Sequence, residues 1–366
     1  MPTLHHDLGV PPAINASGRM TALGGSVLGD GVIAAMGDAA RHHVVMDDLL
    51  DAVGREIARA TGTEAGCPTT GAASGVAIAV ASLIAGTDVS RVEALPDPGG
   101  APCEVILPRG HSVYFGAPIR QMIALGGGRP VEVGSANKVT ADHLAGAIGP
   151  RTAALLYVQS HHAVQKGMVS LAETIEVGRR HDIPVIVDAA AEEDLKHWPA
   201  TGADLVVYSG GKAVGGPASG MICGSAARIA ACRAQYGGIA RPMKVGKETL
   251  FGLVQALRDY GTAEPGGHRA RMEKLAARLA DLPGITTRVV GDEAGRAIHR
   301  TELTVDPAAA GRDAATLASE LASTGVHLRD HLAVTGRLLI DPRPLRPDEE
   351  DHLVDRLTAL VEGGAR

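Results

Sequence analysis

Asp204-Leu-Val-Val-Tyr-Ser-Gly-Gly-Lys212-Ala-Val-Gly-Gly-Pro-Ala-Ser-Gly220 is the stretch on which the fold turns. A short apolar run ends at Ser209, two glycines precede Lys212, and a second glycine-proline turn follows. The pattern predicts a buried strand that delivers a lysine to its C-terminal end, into a space kept open by small residues, because glycine lets backbone approach a ligand closely. A desolvated lysine there is a nucleophile. A phosphate-binding P-loop needs Gly at 206 and Ser or Thr at 213, and Val206 and Ala213 exclude it. A solvated turn lysine is the plainer alternative.

The preceding run shifts the balance. Ile183-Pro-Val-Ile-Val-Asp188-Ala-Ala-Ala191 reads as another buried strand, ending in a carboxylate among alanines. Two successive parallel strands joined by one crossover place Asp188 and Lys212 side by side at the C-terminal edge of a sheet, where α/β folds bind ligands. An aspartate and a lysine at that edge are what pyridoxal 5'-phosphate requires, a partner for the pyridinium nitrogen and an amine for a Schiff base.

With these residues in place the chain resembles the fold-type I pyridoxal-phosphate enzymes of the L-seryl-tRNA selenium transferase family. The segment Ser209–Gly220 carries the resemblance. It is joined in order by Pro11-Pro-Ala-Ile-Asn-Ala-Ser-Gly18, Val131-Glu-Val-Gly-Ser-Ala-Asn137 and Met243-Lys-Val-Gly-Lys-Glu-Thr249, so it spans about residues 10 to 345. The resemblance implies an α/β, aspartate aminotransferase-like fold. A large domain with a mostly parallel seven-stranded sheet (residues 41–250) would follow an N-terminal arm (1–40), with a connecting helix and a small α/β C-terminal domain after it (251–366). It also implies a homodimer or a higher homo-oligomer.

Other candidate site residues follow from position. Pro68-Thr-Thr70-Gly-Ala-Ala-Ser74-Gly75 precedes an apolar helical run, and a small-residue loop opening a helix offers free N–H groups and a positive dipole end. Thr70, Gly71, Ala72, Ala73 and Ser74, with Ser209, are therefore expected to hold the cofactor phosphate. His111 closes the strand after that loop and is expected to lie against the cofactor ring, with Tyr114 in reserve. Strand 153–158 ends in Gln159-Ser160-His161-His162, which places Gln159 near the ring and His161 or His162 near substrate. Neighbouring residues on an extended segment point to opposite faces and no third ligand is suitably spaced, so no metal is expected. Arg19 is the lone charge in Ile14–Ser26, and Arg343 follows a strand, so both are expected to touch substrate, Arg343 by gripping a carboxylate.

Element expectations are coarser. Residues 86–103, with Pro96, Pro98, Gly99, Gly100 and Pro102, read as a surface loop, and the first thirty residues as too glycine-rich for regular structure. A helix is expected over 44–61 and a long helical region over 246–282. Strands are expected near 299–305, 326–329 and 337–341, and helices over 313–323 and 347–362.

Composition bounds the rest. Aromatics are 2 % of the chain, so Ala, Val, Leu and Ile must fill the core. The formal charge of −6 offers no field for a polyanion, which argues against nucleic acid. No run approaches the ~20 apolar residues that span a bilayer, so no membrane partner and a cytoplasmic location are expected. Cys67, Cys103, Cys223 and Cys232 lack paired metal spacing and read as free thiols.

The resemblance leaves several fates for a carbanion made at Cα of an amino acid. Loss of a β-hydroxyl releases ammonia and a 2-keto acid from a small-molecule amino acid or amino-sugar acid, as in the D-glucosaminate-6-phosphate ammonia-lyase branch. Return of the proton on the other face makes a racemase or epimerase. Addition of selenium to seryl-tRNA is the transferase outcome, disfavoured here by the acidic charge and by the motif Pro11–Gly18 standing so near residue 1. A non-catalytic binding protein on the same fold is the alternative from another class, and the presence of both Lys212 and Asp188 speaks against it.

Overall fold

A computed structural model describes residues 4–160, 162–261, 267–292 and 296–364. Their strands, in chain order, are β1 (Ile14–Ala16), β2 (Ala65–Thr69), β3 (Glu104–Pro108), β4 (Arg129–Val133), β5 (Thr152–Val158), β6 (Val185–Asp188), β7 (Leu205–Ser209), β8 (Gly220–Gly224), β9 (Ile285–Gly291), β10 (His299–Val305), β11 (Val326–Leu328) and β12 (Arg337–Ile340). The chain divides into two compact units, Leu28–Tyr260, and Met1–Val27 together with Gly261–Arg366.

The larger unit is built on a seven-stranded sheet of order β2-β8-β7-β6-β5-β3-β4. Only β8 runs against its neighbours, pairing antiparallel with β2 and β7, while the remaining pairs are parallel. Both faces are covered, as a parallel sheet requires. In β5 every position is buried. Ala154, Leu156 and Val158 enter one core, and Leu155 and Tyr157 enter the other. Helix Ala72–Ala85 belongs to the first core and is buried at nearly every position from Gly75 onward, which fits its apolar, polar-face-free sequence. It lies close to the sheet because Gly75 has no side chain: an added Cβ would meet Val207 Cγ1 at 2.7 Å. Helix Met46–Thr61 covers the other face, with Val53 and Ile57 fully buried.

The smaller unit holds a three-stranded antiparallel sheet of order β12-β10-β9 and a parallel pair of β1 with β11, Ile14 opposite Val326. Its core is Met272, Leu275, Leu303, Leu317, Leu321, Leu353 and Leu357, drawn from β10 and helices Gly267–Leu279, Ala314–Ser323 and Glu350–Gly364.

Three expectations are corrected. The opening residues do contain regular structure, β1, which is three residues long and exists by pairing with β11; no local alternation could announce it. Residues 86–103 contain helix Val89–Ala94, whose start is fixed by the Asp88 carboxylate accepting from Arg91 N–H at 3.0 Å. The helical region 246–282 is two helices, Lys247–Asp259 in the larger unit and Gly267–Leu279 in the smaller. Helix Asp30–Ala40, within the stretch read as an arm, packs against Lys247–Asp259 inside the larger unit.

Candidate active site

Strand register gathers most of the singled-out residues at one edge of the large sheet. Gly220 of β8 stands opposite Thr69 on one side and Ser209 on the other. Asp188 pairs with Val207 of β7 and with Val158 of β5. The N–H of Val158 in turn donates to His111 Nδ1 at 3.2 Å. The ends of β2, β7, β6, β5 and β3 thus carry, in lateral order, Thr69, Ser209, Asp188, Val158 and His111. Alternation in the pleat then sorts the side chains. Cys67, Ile186 and Val207 enter the core shared with helix Ala72–Ala85, so Thr69, Asp188 and Ser209, each two residues further on, project on that helix's side of the sheet.

Asp188 is 7 % exposed. Among the described residues its carboxylate receives one hydrogen bond, from Ala190 N–H to Oδ1 at 3.1 Å. Burial pushes its pKa up to about 6, against the opposing pull of that N–H and of the Lys212 charge. Lys212 is half-buried in the turn after β7. The turn is closed by its own backbone: Gly210 N–H donates to Ser219 C=O at 2.8 Å, Gly216 N–H to Gly210 C=O at 2.8 Å, and Gly215 N–H to Lys212 C=O at 3.1 Å. A side chain at Gly210 would strike Ser219 Oγ and come within 2.9 Å of Leu253 Cδ1, so the lysine is carried on a turn only glycine can make.

Helix Ala72–Ala85 begins beside this pair. No side chain caps it, so the N–H groups of its first turn are left for another acceptor. The loop is held from behind: Gly71 C=O accepts Thr69 Oγ1 at 2.8 Å and Ser74 Oγ at 2.7 Å, and Thr70 Oγ1 donates to Ser74 Oγ at 2.9 Å. A Cβ on Gly71 would meet nothing within 4 Å, whereas one on Gly220 would run into the Gly71 backbone and lie 2.6 Å from Thr69 Oγ1. Open space in front, glycine contact behind and uncapped N–H groups make a cradle that suits a phosphate. The buried, under-bonded Asp188 carboxylate likewise fits a protonated ring nitrogen.

His111 is enclosed on several sides. It is 1 % exposed, its ring meets Tyr157 edge to face at 4.5 Å, and burial lowers its pKa to about 4. With Nδ1 accepting from Val158, the neutral ring carries its proton on Nε2. That hydrogen bond joins the turn after β3 to the end of β5; Tyr114 is 70 % exposed. Gln159 N–H donates to Asp188 C=O at 2.9 Å, which ties it beside the carboxylate. His162 is exposed, its N–H donating to Ser160 Oγ at 3.2 Å, and His161 lies outside the described residues. No group of three or more metal-ligating side chains occurs among the described residues.

Arg19 and Arg343 belong to the smaller unit. Arg19 is half-buried after the Asn15–Gly18 turn, in which Asn15 Nδ2 donates to Gly18 C=O at 2.9 Å. Arg343 is committed to Asp341, donating from Nε at 2.9 Å and Nη2 at 2.8 Å. Sequence reasoning missed Thr69 and Gly220, which hold the loop from behind. Gly220 closes the lysine motif, and a glycine at the end of that motif was the available signal.

Comparison with known proteins agrees with this geometry. The family model described as L-seryl-tRNA selenium transferase (SelA) matches residues 13–282. A 5'-C-glycyluridine monooxygenase-decarboxylase from a Streptomyces species is 56 % identical over 99 % of this chain and 93 % of the relative. A D-glucosaminate-6-phosphate ammonia lyase from Salmonella typhimurium is 42 % identical over 100 % of this chain and 99 % of its own. A solved structure of D-glucosaminate-6-phosphate ammonia-lyase superposes with a TM-score of 0.94, covering all of both chains at 42 % identity. The chain belongs to the L-seryl-tRNA selenium transferase family.

Proposed function

We propose that the protein is a pyridoxal 5'-phosphate-dependent ammonia-lyase acting on a β-hydroxy amino acid or amino-sugar acid. The observation that carries the reading is the buried Asp188 carboxylate, hydrogen-bonded by a single N–H, with the Lys212 charge acting on it from the adjoining strand end. Bound pyridoxal phosphate supplies an aldehyde that condenses with amines and a ring that draws away the electron pair left at Cα. Asp188 holds the proton of the ring nitrogen. Lys212 would furnish the amine that holds the aldehyde and would take the Cα proton of the substrate. The first-turn N–H groups of Ala72–Ser74, with Thr70, Gly71 and Ser209, hold the phosphate, and Gln159 borders the ring. His111 keeps β5 in position from beneath. His161, His162, Arg19 and Arg343 are the proposed substrate contacts.

The reaction balances without an oxidant. The Cα proton passes to Lys212, and the β-hydroxyl departs as water with a proton from Lys212 or a histidine. The enamine left behind takes water back, releasing ammonia and a 2-keto acid. We further read the protein as a cytoplasmic homodimer or higher homo-oligomer working on small molecules, since a net charge of −6 suits no transfer RNA.

A second reading has a specific observation behind it, the 56 % identity to a monooxygenase-decarboxylase. The same Cα carbanion would then meet dioxygen: the amino acid and O2 become a carboxamide, carbon dioxide and water. Product analysis with and without air separates the two. Ammonia and 2-keto acid formed equally from hydroxylated substrates under nitrogen support the lyase; oxygen uptake matched by carbon dioxide, with no ammonia, transfers the assignment to oxidative decarboxylation.

A further inference from the structure

The turn that follows Asp188 is fastened at both ends, and the second fastening comes from tyrosines that the reading above does not use. Near the carboxylate the hold is backbone. Ala189 N–H donates to Val207 C=O at 2.9 Å, Ser209 N–H to Ala190 C=O at 3.3 Å, and Glu192 N–H to Ala189 C=O at 3.0 Å. Ala190 N–H is thereby carried to Asp188 Oδ1, at 3.1 Å the one hydrogen bond that carboxylate receives among the described residues.

At the far end the hold is made by side chains. Tyr208 Oη donates to Leu195 C=O at 3.1 Å and lies 3.5 Å from Asp194 C=O, and Tyr260 Oη donates to Glu193 C=O. Asp194 Oδ1 also accepts Lys196 N–H at 3.0 Å and His197 N–H at 2.9 Å, just before helix His197–Ala200. Leu195 needs the phenol because the residue four further on is Pro199, which has no N–H to offer its carbonyl. Both partners are buried, Tyr208 at 1 % exposed and Leu195 at 3 %, and a buried carbonyl that loses its donor is costly. Tyr208 joins the two ends of the turn. Its neighbours Val207 and Ser209 take the start through their backbone, and its own hydroxyl takes the end. The ring enters the core on the face of the sheet opposite the one from which Asp188 projects, so it acts on the carboxylate through the turn.

We propose that Tyr208, seconded by Tyr260, is a positioning residue for Asp188: its hydroxyl fixes the 189–195 turn so that Ala190 N–H stays on the carboxylate. Its effect on turnover rests on Asp188 partnering the ring nitrogen; the coupling itself is read without cofactor. The test melts full-length, cofactor-stripped protein at pH 4 and pH 8 as wild type, Tyr208→Phe, Asp188→Asn and the double variant. Ala190 N–H favours the charged form of Asp188, which the folded protein holds at pH 8 and not at pH 4. Tyr208→Phe should therefore lower the melting temperature by roughly 2–4 °C more at pH 8 than at pH 4, and the extra loss should vanish in the Asp188→Asn background. That background also removes what other groups contribute on their own, since Lys212 acts on the Asp188 carboxylate and Cys223, Asp194, Glu192 and Tyr260 act on the Tyr208 hydroxyl. Tyr260→Phe, which releases Glu193 C=O, should show the same pattern in smaller measure and serves if Tyr208→Phe does not fold. Tyr236→Phe takes a hydroxyl from Pro68 C=O elsewhere in the same unit and should lose equally at both pH values. Loaded with pyridoxal phosphate, Tyr208→Phe should release ammonia roughly three- to thirtyfold more slowly with KM within about twofold. A loss of melting temperature that is equal at both pH values, or that persists unchanged in Asp188→Asn, makes Tyr208 purely structural and overturns the proposal. A coupled loss with no fall in kcat upholds the positioning and removes Asp188 from the chemistry instead.

Discussion

Asp188 carries a conflict between stability and chemistry. Its pKa is raised from the ordinary carboxylate value to about 6, so in protein stripped of cofactor the folded state holds a proton that the unfolded chain gives up at ~4. The resulting penalty is absent below pH ~4, grows between 4 and 6, and is constant above 6. Asp188→Asn should therefore stabilise cofactor-stripped protein by roughly 1–3 kcal/mol above pH 6 and by little near pH 4, while losing most turnover because an amide cannot favour the protonated ring. Thermal melts across pH 4–8 with activity assays check both halves. A variant whose stability gain over wild type is no larger at pH 8 than at pH 4 contradicts the burial argument, and one that turns over normally removes Asp188 from the chemistry. Only the fold reveals Tyr157 against the His111 ring and the Val158 N–H on its Nδ1.

The loop 70–74 is set by its contact with β8. Gly220→Ala would push a methyl group into the Gly71 backbone and Thr69, neither the loose end of a flexible side chain. Overpacking of this kind costs roughly 1–3 kcal/mol, and here the strain falls on the helix start that the phosphate would use. The variant should melt lower and need more added pyridoxal phosphate for full activity. Unchanged cofactor affinity would separate the loop from phosphate binding. This contact also explains what could be read without the fold. The two apolar runs ending at Asp188 and Ser209, and the small-residue start of helix Ala72–Ala85, are local patterns that survive in the structure. β1 and β2 are not local: each is short, and each is defined by a partner more than a hundred residues away, β11 and β8 respectively. The buried ion pairs of Arg300 with Asp292 and Asp341 were hidden for the same reason, since Arg300 lies in β10 and the two aspartates follow β9 and β12.

The two units should respond oppositely to acid. In the larger, lowering pH from 6 to 4 relieves the Asp188 penalty. In the smaller, Asp292 and Asp341 are held well below the usual carboxylate range by their arginines despite burial. Their contribution is complete above the unfolded pKa of ~3.9 and is lost as pH falls further. Hydrogen exchange at pH 3 to 4 should therefore expose β10 and β12 before the central strands β5, β6 and β7. Simultaneous loss of protection, or earlier loss in the large sheet, would place the acid-labile charges elsewhere.

The fold, the family and the pairing of Asp188 with Lys212 all lead to one atom, Lys212 Nζ. Borohydride treatment of purified protein loaded with pyridoxal phosphate, followed by peptide mass mapping, tests it directly. The account predicts a visible or near-ultraviolet absorbance that borohydride abolishes, a pyridoxyl group fixed on Lys212, and no such label in correctly folded Lys212→Ala protein. A label fixed on another lysine, or full turnover by Lys212→Ala, would contradict it.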